Sequence, residues 1–286
     1  MVMIVDSHHY NDHYHKILKL GYVKKAHHDS LIPKDDYIKK YQEIKSKYAD
    51  TLVSSWTEKT DPKKFVYEDL AIASYLICLW EKGENKLSKS DLTFVDIGCG
   101  NGLLTYLLTK EGYKGYGVDM VDRKIWKHFC QDNNNILKVE SIYPSKVKYQ
   151  VDWIIGNHAD ELVPWIPIIA TKSGVDCKFL VIPCCLYGLD GKRNLPLSKD
   201  EGGKYRAYTN YIKNIATQCG FYCEEDYLRI PSTKNIAIIG RKRQQMINEN
   251  DLEKIQAPGI GFTIRKSDHE KEELRRLDNK RTKIEL

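Results

Sequence analysis

Hydrophobic positions near the start of the chain recur with a helical period. Between Pro33 and Asp50 they fall at Tyr37, Tyr41, Ile44 and Tyr48, with lysines on the other positions, which predicts an amphipathic helix. Asp61-Pro62 then reads as an N-cap followed by proline at the first helical position. A second helix should run through Phe65, Val66, Leu70, Ala73, Leu76 and Ile77 to about Trp80, with Gly83 ending it. The polar stretch 81–91 reads as a linker. Beyond it the pattern changes to short apolar runs, and Leu92–Ile97, Gly115–Asp119, Ile136–Val139, Val151–Ile155 and Lys178–Ile182 are predicted as successive strands. Helical windows fit between and after them at Leu103–Thr109, Arg123–Cys130, Asp160–Thr171 and Lys204–Cys219. Cys223–Arg229 and Asn235–Ile239 are separated by so few residues that they must pair antiparallel. The pattern as a whole is α/β: a doubly wound, Rossmann-like sheet of about seven strands with one reversed edge strand, preceded by a helical N-terminal extension. The expected division is an extension over 1–55, the sheet domain over 56–240 and a charged tail over 241–286, whose last part, Ser267–Leu286, is expected to be a solvated helix or disordered.

Composition narrows the classes. The 286 residues are 42% hydrophobic, too apolar for a disordered chain and long enough to bury a sizeable core. Lys and Arg number 45 against 39 Asp and Glu, a formal charge of +6, which admits an anionic partner and excludes a polycationic arm. The most apolar windows, 71–80 and 179–189, fall short of the roughly 20 residues that span a bilayer. Met1–Val5 lacks the flanks of a secretory signal. A cytoplasmic protein is expected, with no membrane contact and no obligate protein partner evident. Its eight cysteines should be reduced thiols there. Cys219 and Cys223 lack the second Cys/His pair of a structural zinc site, and the histidines of Ser7–His15 read as a polar leader, so no metal is expected.

Chemistry enters at Gly98-Cys99-Gly100-Asn101-Gly102, between the first strand and its helix. Three glycines let the backbone turn tightly and leave amides and a helix N-terminus aimed at a ligand. The dinucleotide pattern GxGxxG would need glycine at 103, where Leu103 stands, and Asp96 lies two residues before the first glycine. Asp-x-Gly-x-Gly-x-Gly is instead the pattern expected of S-adenosylmethionine (AdoMet) methyltransferases. Asp119 ends the second strand, 21 residues after Gly98, where a carboxylate can accept ribose hydroxyls. The cofactor candidates are Asp96, Gly98, Cys99, Gly100, Asn101, Gly102, Asp119 and Met120, with Asn157 and His158 after the fourth strand. Methyl transfer is an in-line displacement, so the rest of the site must hold the acceptor and remove its proton. Asp160 and Glu161 are candidates for that work, although acids there also suit the N-terminus of the following helix. Cys184 or Cys185, after the fifth strand, leaves open a second chemistry, methylation at carbon 5 of a pyrimidine through a thiolate adduct.

Several segments together resemble the tRNA uridine 2'-O-methyltransferase family: Phe94–Leu104, Gly115–Asp119, Gly156–Pro167, Pro183-Cys184-Cys185 and Leu228–Gly240, with Trp56–Trp80 upstream. The glycine loop is shared with many methyltransferases, whereas Asn157–Glu161 and Arg229–Lys234 are far more particular. The resemblance covers about Tyr41–Gly240. It implies a class I methyltransferase sheet that methylates, with AdoMet, the ribose 2'-hydroxyl of uridine 44 in serine tRNA. Some members carry a Cys/His zinc finger that is absent here. A 2'-hydroxyl needs an acid and a cation beside it, for which Asp160, Glu161 and Lys192 are the catalytic candidates. Phosphate contacts are assigned to Arg193, Lys204, Arg206, Arg229 and Lys234, with Lys64 as a further candidate and Tyr187 and Tyr205 available for stacking. A methyltransferase-fold protein that binds RNA without catalysis is the remaining alternative.

Overall fold

The computed structural model describes residues 28–83, 88–130, 135–193, 195–198 and 202–263; the histidine run and Ser267–Leu286 lie outside the described residues. Seven strands form one sheet in the order β3-β2-β1-β4-β5-β7-β6. They are β1 (Thr93–Ile97), β2 (Lys114–Asp119), β3 (Leu137–Val139), β4 (Trp153–Asn157), β5 (Lys178–Ile182), β6 (Phe221–Tyr227) and β7 (Ile236–Arg243). The first five pair in parallel, and β7 runs antiparallel to both β5 and β6. The expected antiparallel pair closes that side of the sheet, and within it the reversed strand is β7, one place in from the edge. Strand order reverses between β1 and β4. A crevice opens there, outside the carboxyl ends of the strands, where doubly wound sheets bind their ligands.

The sheet is buried on both faces because each strand alternates its apolar side chains between two cores. Phe94, Trp153, Ile155, Leu180 and Ile239 face one cluster. Val95, Ile97, Ile154, Phe179 and Ile238 face the other. On the first face lie α1 (Lys34–Ser54), α2 (Pro62–Glu81) and α3 (Leu103–Lys110). Asp61 caps α2 by accepting the Lys63 amide at 3.0 Å, and Pro62 takes the first helical position. From Val66 to Trp80 nearly every side chain of α2 is buried except Tyr67, because α2 lies between α1 and the sheet. Trp80 anchors it, with ring centroids 4.7 Å from Tyr113 and 6.0 Å from Trp153. The second face carries α5 (Ile166–Ser173) and α6 (Lys204–Gln218).

Four local departures from the sequence pattern have physical reasons. The Asp152 carboxylate accepts both the amide and the hydroxyl of Thr93 at 2.7 Å, which holds 151–152 as a bend, so β4 starts at Trp153 and reaches Asn157. The helix expected over Asp160–Thr171 is split: Asp160–Trp165 is a 3-10 turn containing Pro164, and α5 follows. The helix expected over Arg123–Cys130 contracts to one turn, α4 (Trp126–Phe129). Finally, β7 runs three residues past Gly240, and α7 (Glu249–Gln256) then folds back on the domain. The Phe262 ring meets Trp165 edge to face at 5.9 Å.

One buried carboxylate fastens the N-terminal segment. Asp226 of β6 is 1% exposed and accepts the amides of Ser30 and Leu31 at 3.3 Å, the Tyr75 hydroxyl at 3.1 Å and the Tyr227 amide at 2.9 Å. Asp226→Ala leaves these donors without their acceptor and should cost about 3 kcal/mol, measured by urea unfolding. A loss below about 1 kcal/mol would show that residues 28–31 do not depend on this carboxylate.

Candidate cofactor and acceptor site

The glycine loop sits at the mouth of the crevice. Gly98, Gly100 and Gly102 all have positive φ, at +69°, +55° and +77°, the left-handed region that favours glycine. The Gly98 and Cys99 amides donate to the Val118 carbonyl at 2.8 and 3.0 Å, which ties the loop to β2. A Cβ on Gly102 would lie 2.5 Å from Leu137, and on Gly98 3.2 Å from Ala159, whereas the space over Gly100 is open. Asn101 takes the Leu103 amide at 2.7 Å. Asp119 holds the loop from β2, accepting the amides of Gly100 at 2.9 Å and Val121 at 3.2 Å, with Met120 beside it. Its carboxylate is thereby fixed in direction while each oxygen keeps a lone pair for a ribose hydroxyl.

Behind the loop the carboxyl ends of β1 and β4 meet α2. Asp96 is 1% exposed; its Oδ2 accepts the Thr105 hydroxyl at 3.0 Å, and its Oδ1 has no partner. Asn157 donates to Asp69 of α2 at 3.2 Å, and its own Oδ1 is likewise buried without a donor. His158 Nε2 lies 3.1 Å from Glu68, the neighbour of Asp69. Burial pushes the Asp96 carboxyl up to about 7, with the Asp119 charge adding to the rise against the Thr105 hydrogen bond. Burial also raises Asp69 well above the carboxylate range, with Asp96 and Glu68 adding to it. Buried acceptors therefore outnumber donors at this end of the sheet. A ligand bearing a positively charged amine supplies what is missing. Glu68 and Asp69 had no role in the sequence reading; the available signal was a pair of adjacent carboxylates inside an otherwise apolar helix.

The acceptor side is formed by the residues that follow β4 and β5. His158 and Asp160 both have positive φ, +55° and +46°, a cost of about 1–3 kcal/mol each for residues with a side chain. Asp160 Oδ1 lies 3.8 Å from Cys184 Sγ, and the Lys234 ammonium donates to the Cys184 carbonyl. Arg193 reaches back from its loop to Cys185 Sγ at 3.3 Å, with its guanidinium 4.6 Å from the Tyr187 ring centre. Glu161 follows in the 3-10 turn and is half-buried. Lys192 is exposed, fixed through its backbone by Asp190 and Gly188, and makes no ion pair among the described residues. Asp160, Arg193 and Lys234 thus converge on the cysteine pair, and Lys192 is not part of that cluster. Burial pushes the Cys184 thiol up to about 12 and raises Cys185, which disfavours the thiolate that a C5 mechanism needs.

The remaining basic candidates divide. Arg206 is held by Glu225 at 2.7 and 2.8 Å, and Arg229 by Asp29 at 2.5 and 3.2 Å. A phosphate would have to displace a carboxylate from each. Lys204 is exposed at the start of α6. Tyr205 uses its hydroxyl to accept the Ile236 amide.

A doubly wound sheet with this loop, these acids at the ends of β1 and β2 and an acceptor side after β4 and β5 defines an AdoMet-dependent methyltransferase domain. A family described as a predicted AdoMet-dependent methyltransferase matches residues 31–144, from α1 through β3. Over 218 residues the chain is 47% identical to the probable tRNA (uracil-O(2)-)-methyltransferase of Xenopus laevis, 75% of this chain and 32% of that protein. Over 292 residues it is 37% identical to the tRNA (uracil-O(2)-)-methyltransferase of Yarrowia lipolytica, 87% of this chain and 54% of that one. Over most of its length the chain is similar to proteins named tRNA (uracil-O(2)-)-methyltransferase, and it spans about a third to a half of the length of these relatives. Among solved structures, the magnesium protoporphyrin IX methyltransferase of Synechocystis with bound SAH aligns at a TM-score of 0.43 and 14% identity, over 72% of this chain and 94% of that one.

Proposed function

We propose that the chain methylates the ribose 2'-oxygen of a uridine in tRNA, with uridine 44 of serine tRNA as the finer target. The observation that carries this reading is the 47% identity, over three quarters of the chain, to a protein named for that reaction. AdoMet supplies a methyl group on a positively charged sulfur. Asp96, Asn157 and Asp69 would receive its amine, the loop Gly98–Gly102 its body and Asp119 its ribose hydroxyls. The acceptor hydroxyl would be held at Asp160 and Glu161, which take its proton, with Lys192 as the expected cation and Lys234, on the Cys184 carbonyl, as a further one. Tyr187 under Arg193 offers a stacking surface for a base.

The test is transfer of labelled methyl from AdoMet to bulk tRNA by the full chain, followed by nucleoside analysis. The expected product is 2'-O-methyluridine. 5-Methyluridine would favour the Cys184 or Cys185 route, and no transfer to RNA would leave the binding-only alternative. Appearance of the product in serine tRNA alone, at nucleotide 44, would support the finer target. Lys192→Ala and Lys204→Ala should each flatten the dependence of log tRNA affinity on log salt by up to about 0.9. Unchanged slopes in both would remove these lysines from the RNA interface.

A further inference from the structure

We propose that Asp160, Cys184 and Cys185 form a binding site for a thiophilic divalent cation of the zinc type, with three protein donors and a fourth position open. Sequence spacing alone does not reveal it, because the two cysteines are adjacent and the third donor follows a different strand. Parallel pairing of β4 with β5 sets Asn157 opposite Ile182, which brings the residues that follow the two strands together. One carboxylate oxygen and two Sγ atoms then lie within 4.8 Å of one another, and Cys184 Sγ stands 3.8 Å from Asp160 Oδ1. A tetrahedral zinc with bonds of about 2.3 Å to sulfur and about 2.0 Å to oxygen separates a sulfur from an oxygen by about 3.5 Å and two sulfurs by about 3.8 Å. The Cys184–Asp160 pair is thus already spaced nearly as on such a tetrahedron, and Cys185 Sγ lies within 4.8 Å of both.

Charge supports the same occupant. Two thiolates and a carboxylate carry three negative charges, and a divalent cation neutralises two. Arg193, 3.3 Å from Cys185 Sγ, offsets the third. Soft sulfur donors select zinc-type ions over magnesium or calcium. All three donors are half-buried. Three protein ligands with an open position is the arrangement in which zinc polarises a bound oxygen. On the methyl-transfer reading above, that oxygen would belong to the acceptor, but metal binding itself does not depend on that reading. Binding releases the protons of both thiols.

The experiment uses the full chain, reduced with a phosphine, stripped with a chelator and titrated with Co2+. One equivalent should bind with a sulfur-to-cobalt charge-transfer band that Zn2+ abolishes. Cys184→Ser and Cys185→Ser should each weaken Co2+ binding about 100-fold or more, and Asp160→Asn about 10-fold, while Cys223→Ser and replacement of His8, His9, His13 and His15 by Ala leave it unchanged. Far-UV circular dichroism and retained AdoMet binding establish that each variant is folded. Independently of any variant, Zn2+ should protect Cys184 and Cys185 of the unaltered chain from alkylation. Absence of the band, a band that persists in both serine variants, or equal alkylation with and without Zn2+ overturns the proposal. None of these readouts involves methyl transfer, so a failure of the tRNA reading would be seen separately.

Discussion

Asp96→Asn should weaken AdoMet binding about 100-fold at pH 8, about 3 kcal/mol, because on the proposed reading it removes the buried charge that would face the amine of the cofactor. The same change should stabilise the free domain, and the sign follows from the ionisation of Asp96. Its carboxyl is pushed up to about 7 in the folded chain, above the unfolded value of about 3.9. The folded state therefore binds the proton more tightly, and stability falls as pH rises from about 4 to about 7 and levels off above that. The ionised carboxylate costs the free domain up to about 4 kcal/mol at pH 8. The Asp96→Asn variant carries no such cost, so its thermal stability should depend less on pH over that window. Asp69 acts in the same direction and leaves a residual dependence. AdoMet selects the ionised form, so its affinity for the unaltered domain should fall about tenfold per unit below pH 7. Calorimetric titrations at pH 6, 7 and 8 read this directly. An affinity that is flat over that range, or an Asp96→Asn variant that binds as tightly as the parent, would remove Asp96 from cofactor recognition.

Asp160→Gly should reduce methyl transfer about 10³-fold while AdoMet affinity stays within about twofold of the parent. The carboxylate is placed after β4, beyond the cluster of Asp96, Asn157 and Asp69 that faces the cofactor, so its loss acts on the acceptor. Glycine is the informative replacement. Asp160 sits at φ +46°, where glycine is at ease and alanine is not. Relief of that strain should offset the lost contact with Cys184, and Asp160→Gly should melt above Asp160→Ala. Full activity in a folded Asp160→Gly variant would show that another group takes the proton.

How much of this was legible differs from element to element. α2 and the glycine loop were readable because their signals are local: a proline-led cap, an apolar helical run, and glycines at positions that require positive φ. The helix expected after Asp160 was misjudged because Pro164 withholds an amide only once the chain is already turning, and periodicity does not register that. Arg206 and Arg229 looked like phosphate ligands. Their carboxylate partners Glu225 and Asp29 come from β6 and from the N-terminal segment, at distances along the chain that no spacing rule connects. Lys234 likewise reaches the Cys184 carbonyl across the sheet, a pairing that no spacing rule connects.

By itself the sequence determined the succession of strands and helices, the glycine loop, the acids at the ends of the first two strands and the resemblance to tRNA uridine methyltransferases. These depend on interactions between residues a few positions apart, which leave a period or a motif behind. The tertiary structure decided that Glu68 and Asp69 roof the cofactor side, that Asp226 fastens the N-terminal segment, and that Asp160 meets Cys184 and Cys185. Each of these joins residues far apart in sequence through the pairing of strands: β4 beside β1 and β5, or the antiparallel return of β7 along β6. Charges brought together in that way shift one another only after burial has removed the water between them.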